Sequence, residues 1–313
     1  MDDDARTPSK ESLDAQPSSA RGRRTYVVGD VHGCFDEMLA LEHAARAQSS
    51  AEVAEADVFF VYVGDLVDRG PRVMDVVAHV RAGVAAGTHA CVGGNHEAFL
   101  VETMYALAPW NFDDAWPLPS KLPSYSPGFE ARYLQEGVVA GMKPVDFKAL
   151  CRTRWMKCGG RETLLSFGCD PDDITTWRFD RDLLAFLVGL PLMWEDKHAV
   201  VTHALATRAD LLIGASLAAR SARDPAGFHA GLSLREQSVL DGLLWCREMP
   251  TEAPAPGKLH VTGHTPLGRP CFDSVTGVVN VDTACVFGGA LTALCLETRV
   301  FLSVPGWTAS PYA

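Results

Sequence analysis

Five short apolar runs in this chain each stop at side chains able to hold a cation. That repetition constrains the fold more than any other feature. Residues 24–28 end in Gly29-Asp30-Val31-His32-Gly33. Residues 57–63 end in Gly64-Asp65-Leu66-Val67-Asp68-Arg69-Gly70. Residues 88–92 end in Gly93-Gly94-Asn95-His96-Glu97, residues 198–202 end at His203, and residues 258–262 end in Gly263-His264-Thr265. A short, continuous apolar run bounded by turn signals reads as a buried strand. In open α/β sheets, ligand sites lie outside the carboxyl ends of the strands. One Asp-x-His triplet alone is more often a solvated loop. Five such ends side by side converge Asp30, His32, Asp65, Asn95, His203 and His264 on one crevice.

The segments between the runs complete a strand–ligand–helix repeat. Phe35, Met38, Leu39 and Glu42 recur at helical spacing after Gly33. Val73, Val76, Val77, Val80 and Val84 follow the second run; Phe99, Leu100, Thr103, Met104 and Leu107 follow the third. Parallel strands with right-handed crossovers are the default for such an order. Residues 109–128 hold Trp110, Trp116, Pro117, Pro119, Pro123 and Pro127. Prolines at that density exclude a helix or a central strand, so the stretch reads as an aromatic loop or cap. Helices are expected over 179–190, 211–223 and 233–245. Residues 278–282, 290–297 and 300–304 are expected to form an antiparallel meander.

Composition sets the outer bounds. The chain has 313 residues, 47% hydrophobic and 21% charged, which is a globular balance. Its net charge of −11 argues against a nucleic-acid partner, which calls for a basic stripe. No apolar stretch is long enough for a membrane span, so no membrane partner is expected. The N-terminus lacks the apolar core of a secretory signal. Nine cysteines without a Cys-x-x-Cys pair read as buried thiols in a reducing compartment, so the expected location is cytoplasmic. Residues 1–23 read as a disordered tail. Oligomeric state is not legible.

The residues at the strand ends suggest a division of labour. Asp65 is the natural bridge between two cations. Asp30 and His32 would complete one site with it; Asn95, His203 and His264 would complete the other. The ligands are oxygen and nitrogen without thiolate, which suits two divalent transition-metal ions, with Mn²⁺ put first and Fe or Zn²⁺ as alternatives. His96 adjoins ligand Asn95, and Asp68 lies three residues past the bridge. Asp68 could orient His96 as a proton donor to a leaving oxygen. Arg69 and Arg247 are candidate phosphate clamps, with Asn95 beside them. His43, His79, His89, His198, His229 and His260 read as satisfied core histidines.

The ordered set Gly-Asp-Val-His-Gly, Gly-Asp-Leu-Val-Asp-Arg-Gly, Gly-Asn-His-Glu, Val-Thr-His and Gly-His-Thr resembles the phosphoprotein phosphatase branch of the calcineurin-like metallophosphoesterases. The resemblance spans about residues 25–304. It implies an α/β fold, an αββα sandwich of two mixed β-sheets flanked by helices. The domain would occupy 24–313, with an inserted cap-like region around 108–176. The resemblance implies the ligand and His–Asp roles given above, with catalytic His96 and Asp68. Leu-Leu-Trp-Cys-Arg resembles the segment that supplies a second phosphate-binding Arg, hence Arg247. Three positions depart from the family pattern: Ala204 and Ala284 stand where Gly is usual, and Cys158 where Asn is usual. Shifts in loop shape, not loss of metal, are expected from the two alanines.

The implied activity is two-metal phosphoester hydrolysis. The motifs recognise a single phosphoryl group, so phosphoserine and phosphothreonine proteins come first as substrates. The alternative is asymmetric hydrolysis of dinucleoside polyphosphates such as diadenosine tetraphosphate. Arg152, Arg154, Lys157 and Arg161 would clamp the extra phosphates, and Trp110, Trp116 and Trp155 would stack on a base. A third reading, a catalytically dead scaffold, is disfavoured by the complete ligand set.

Overall fold

The computed structural model describes residues 9–12, 22–53, 57–112, 144–223, 232–309 and 311. Residues 113–143, the centre of the expected cap, and all of the expected tail except 9–12 and 22–23 lie outside them. The strands in chain order are β1 (Ser9–Ser12), β2 (Arg24–Val28), β3 (Val58–Tyr62), β4 (His89–Cys91), β5 (Met193–Glu195), β6 (Ala199–Thr202), β7 (Leu259–Thr262), β8 (Cys271–Asp273), β9 (Val278–Asn280), β10 (Ala290–Cys295) and β11 (Val300–Pro305). They form two mixed sheets, in the orders β1-β11-β10-β2-β3-β4 and β5-β6-β7-β9-β8. The three ligand-bearing strands β2, β3 and β4 pair in parallel, as do β6 and β7. All five ligand-bearing ends therefore point the same way within their sheets.

Side-chain alternation builds the layers, because successive residues of a strand face opposite sides. Val27, Phe59 and Val61 of the first sheet meet Val201, Val261 and Val279 of the second. Tyr26, Phe60 and Tyr62 point outward, onto Met38 and Leu41 of α1 (Phe35–Glu52) and Val76 and Val77 of α2 (Val73–Ala85). Beyond the second sheet, Val200 packs on Leu211 of α7 (Arg208–Arg223) and on Val239 and Leu243 of α8 (Leu234–Trp245). The result is the expected αββα sandwich. Each such side chain contributes about 1.5–3 kcal/mol by burial, so the stack holds the strand ends rigidly. Between these groups lie α3 (Asn95–Leu107), α4 (Pro144–Trp155), α5 (Arg161–Ser166) and α6 (Arg181–Val188).

Three elements differ from the sequence reading. The expected C-terminal meander is instead split. β9 joins the second sheet beside β7, while β10 and β11 form a hairpin in the first. Residues 281–289 are too long a link for a hairpin, whose loops usually run two to five residues. Ser9–Ser12, within the expected tail, pairs antiparallel with β11. Leu39 and Val84, which share the helical spacing of their neighbours, are exposed. Leu41 and Ala45 take the inward positions of α1.

Candidate active site

The strand-end turns carry the strain of the molecule. Among the described residues, His32, Asp65, Asp68, Arg69 and His264 all adopt positive φ, a region that L-residues usually avoid. Such outliers persist only where packing over-determines them, and they cluster at functional sites. The flanking glycines make room for neighbouring ligands. A Cβ on Gly94 would fall on Asp65 Oδ1, and one on Gly263 would fall on Asp30 Oδ1.

Asp65 lies between two imidazoles. Its Oδ2 is 3.5 Å from His32 Nε2, and its Oδ1 is 3.5 Å from His203 Nε2. His32 Nδ1 lies 2.7 Å from Val67 O, and His203 Nδ1 lies 2.9 Å from Val63 O. Each ring therefore donates through Nδ1 and turns a lone pair at Nε2 toward the cavity. His203 Nε2, His264 Nδ1 and Asn95 Oδ1 then stand 2.8–3.2 Å apart. Lone-pair atoms converging on one point suit a cation, and the donor set is all nitrogen and oxygen. Two overlapping clusters form, His32–Asp65–His96 and Asp30–Asp65–His203. Arg69 Nη1 hydrogen-bonds His32 Nε2.

Burial works against the charged forms of several groups here. It raises the Asp30 carboxyl well above its ordinary value, with Asp282 and Asp65 adding to the effect. It raises Asp282 to about 6. It lowers His203 and His264 to about 3 and His96 to about 4. Divalent cations would reverse the carboxylate shifts and would keep the His203 and His264 imidazoles unprotonated, as ligation requires. The residues present thus fit two metal ions.

His96 and Asp68 meet as expected, with His96 Nδ1 2.7 Å from Asp68 Oδ2. The opposite oxygen, Asp68 Oδ1, accepts from Trp155 Nε1 at 2.9 Å and from Thr163 Oγ1 at 2.7 Å. Both donors come from the inserted region, which the sequence reading treated as a cover. Its Gly159, at φ 101° in a π-helical turn (Met156–Gly160), accepts the Arg69 N–H at 3.1 Å. A Cβ on Gly159 would strike Arg69.

The cavity above these groups has a volume of about 460 Å³. Asp30, His32, Asp65, Arg69, Asn95, His96, Arg247 and His264 line it; His203 and Asp68 sit directly behind. Of the four proposed phosphate clamps, Arg154 and Lys157 reach the cavity. Arg152 and Arg161 turn away and pair with Asp172. Trp155 is fully buried, and Trp110 donates to Trp177 O, so neither faces the cavity; Trp116 lies outside the described residues. The aromatic rings on the wall are Phe99, Trp245 and Phe287. Sequence reasoning also passed over Asp282 and Glu97. Asp282 lies just past β9, a sixth strand end of the same design. Glu97 accepts the backbone N–H groups of Asp65, Leu66 and Val67 and holds the bridging turn.

A family model described as calcineurin-like phosphoesterase matches residues 23–225. The chain belongs to this family. Membership carries the class of chemistry: metal-dependent hydrolysis of phosphoesters. The asymmetrical bis(5'-nucleosyl)-tetraphosphatase PrpE of Anoxybacillus flavithermus is 26% identical over 299 residues, 91% of this chain and 95% of the relative. PrpE of Bacillus velezensis is 36% identical over 72 residues. That alignment covers 22% of this chain and only 29% of the relative's length. A solved structure of a proposed diadenosine tetraphosphatase superposes with a TM-score of 0.51 at 18% identity, covering 91% of this chain and 95% of the other. It shares the fold. Among the described residues, no helix is long and apolar enough to cross a membrane.

Proposed function

We propose that the chain hydrolyses dinucleoside polyphosphates, with a nucleoside tetraphosphate of the diadenosine type as substrate class. The observation that carries this reading is the cation count. Arg69, Arg154, Lys157 and Arg247 line one cavity, whereas the phosphoprotein reading rested on motifs for a single phosphoryl group. A tetraphosphate bridge carries about four negative charges, and Arg and Lys are the usual partners for phosphate oxygens. The cavity volume lies within the range of small-molecule sites. The near-full-length similarity to a tetraphosphatase supports the same order. Phosphoserine and phosphothreonine proteins thus become the second substrate class. A cytoplasmic location is supported by the nine cysteines, which suit a reducing compartment. We retain one catalytic domain over 24–313 with the inserted region around 108–176 as part of it.

Two divalent cations, Mn²⁺ first, would polarise the phosphoryl group and supply a nucleophilic water at neutral pH. Asp30, His32 and Asp65 would hold one; Asp65, Asn95, His203 and His264 would hold the other. Arg69 and Arg247, with Asn95, orient the reacting phosphoryl group. His96 donates a proton to the leaving oxygen from Nε2. Its Nδ1 stays bonded to Asp68, whose charge supports the protonated ring before transfer. Arg154 and Lys157 hold the phosphates that do not react. The Arg154→Ala, Lys157→Ala double variant should lose roughly a hundredfold in kcat/KM for diadenosine tetraphosphate, about 2.7 kcal/mol. Its turnover of p-nitrophenyl phosphate should stay within a few-fold. Equal losses on both substrates would count against this assignment.

A further inference from the structure

On the outer face of the first sheet, away from the cleft, a second group of ligand-type side chains converges. Glu42 of α1, His79 of α2 and His89 of β4 present one carboxylate oxygen and two ring nitrogens to one another. His79 Nε2 and His89 Nε2 lie 3.0 and 2.9 Å from Glu42 Oε1, and the Tyr62 hydroxyl lies 2.5 Å from the same atom. Three groups thus crowd one oxygen. Its twin, Oε2, faces Arg46 Nη2 at 3.5 Å. A carboxylate satisfied by hydrogen bonds alone spreads donors over the four lone pairs of both oxygens. Crowding on one oxygen is what ligands around a shared centre produce.

The surroundings match that reading. His89 Nδ1 lies 2.7 Å from Thr88 Oγ1, a contact that fixes the ring and aims Nε2 at Glu42. Partners of this kind commonly orient metal-bound histidines. Gly83 sits inside α2, where Gly costs about 1 kcal/mol against Ala. A Cβ there would fall on the His89 ring, so this glycine seats the ligand. Glu42 and His89 are buried, while the His79 side chain is 29% exposed and leaves a way in for an ion. Zinc bonds nitrogen and oxygen at about 2.0–2.2 Å. Ligand atoms 2.9–3.0 Å apart subtend about 90° at such an ion.

We propose that Glu42, His79 and His89, with Tyr62 beside them, form a divalent metal site of the zinc class, separate from the cleft, that clamps α1 and α2 to the sheet. On loading, each Nε2 binds the ion through its lone pair: a neutral ring keeps its proton at Nδ1, and a doubly protonated ring releases one. The test is the zinc content of chelator-stripped protein reloaded with Zn²⁺ and desalted. Wild type should hold about three ions per chain, against about two for the cleft alone. His79→Gln, which keeps a donor toward Glu42, should hold one fewer. Its turnover of p-nitrophenyl phosphate should stay within twofold of wild type. Two ions in wild type would overturn the proposal, as would equal zinc in wild type and His79→Gln. An ion lost together with turnover would assign it to the cleft and overturn the proposal as well.

Discussion

Asp65 is the residue on which the centre turns. One carboxylate oxygen faces His32 and the other faces His203 at the same separation. Asp65→Asn should therefore weaken both metal sites, whereas His32→Ala should weaken one. Metal analysis of the purified variants checks this, and chelation should abolish wild-type turnover. Retention of both ions by Asp65→Asn would remove it as the bridge. His96→Asn should keep the ions and lower kcat by roughly 10²–10⁴-fold. The loss should shrink for aryl leaving groups, which need less protonation. An equal loss on alkyl and aryl esters would rule His96 out as the proton donor. At Ala284 the residue scale shows a limit of sequence reading. The position is left-handed, at φ 63°, the conformation that suits the glycine usual there. The alanine thus sits under strain in a turn that glycine adopts freely, a conformation that residue types alone did not reveal.

At the scale of elements, the strand–ligand–helix repeat was legible because each unit is local. Period, glycine and ligand lie within a few residues of one another. The partnership of Asp68 with Trp155 and Thr163 was not, since these residues are 87 and 95 positions away. Nor was the splitting of β9 from β10 and β11, because strand partners across a long link are chosen by packing. The inserted segment 155–163 is best seen as the brace of the acid pair. Trp155→Phe removes one hydrogen bond to the Asp68 carboxylate, and Thr163→Val removes another together with the acceptor of the Asp68 N–H; each bond to the carboxylate is worth about 1.5–3 kcal/mol. Each variant should lower kcat by about tenfold with KM and metal content unchanged. Leaving-group dependence should be blunted in the same sense as in His96→Asn. Loss of metal, or a loss of kcat independent of the leaving group, would indicate a general structural defect.

For the whole molecule, two sheets meeting through an apolar layer bring ligands from both onto one cavity, and the sequence order of those ligands revealed this. Which cations face the cavity was hidden. Arg152, Arg154, Lys157 and Arg161 are close in sequence, yet helix geometry sends only Arg154 and Lys157 inward. The proposed preference for a dinucleoside polyphosphate over a phosphoprotein rests on that placement. The most direct test is kcat/KM of the wild-type chain, supplied with Mn²⁺, for diadenosine tetraphosphate against a phosphothreonine peptide. A preference for the dinucleotide of more than about a hundredfold, roughly 2.7 kcal/mol in transition-state binding, is the expected result. Equal values, or a preference for the peptide, would contradict it.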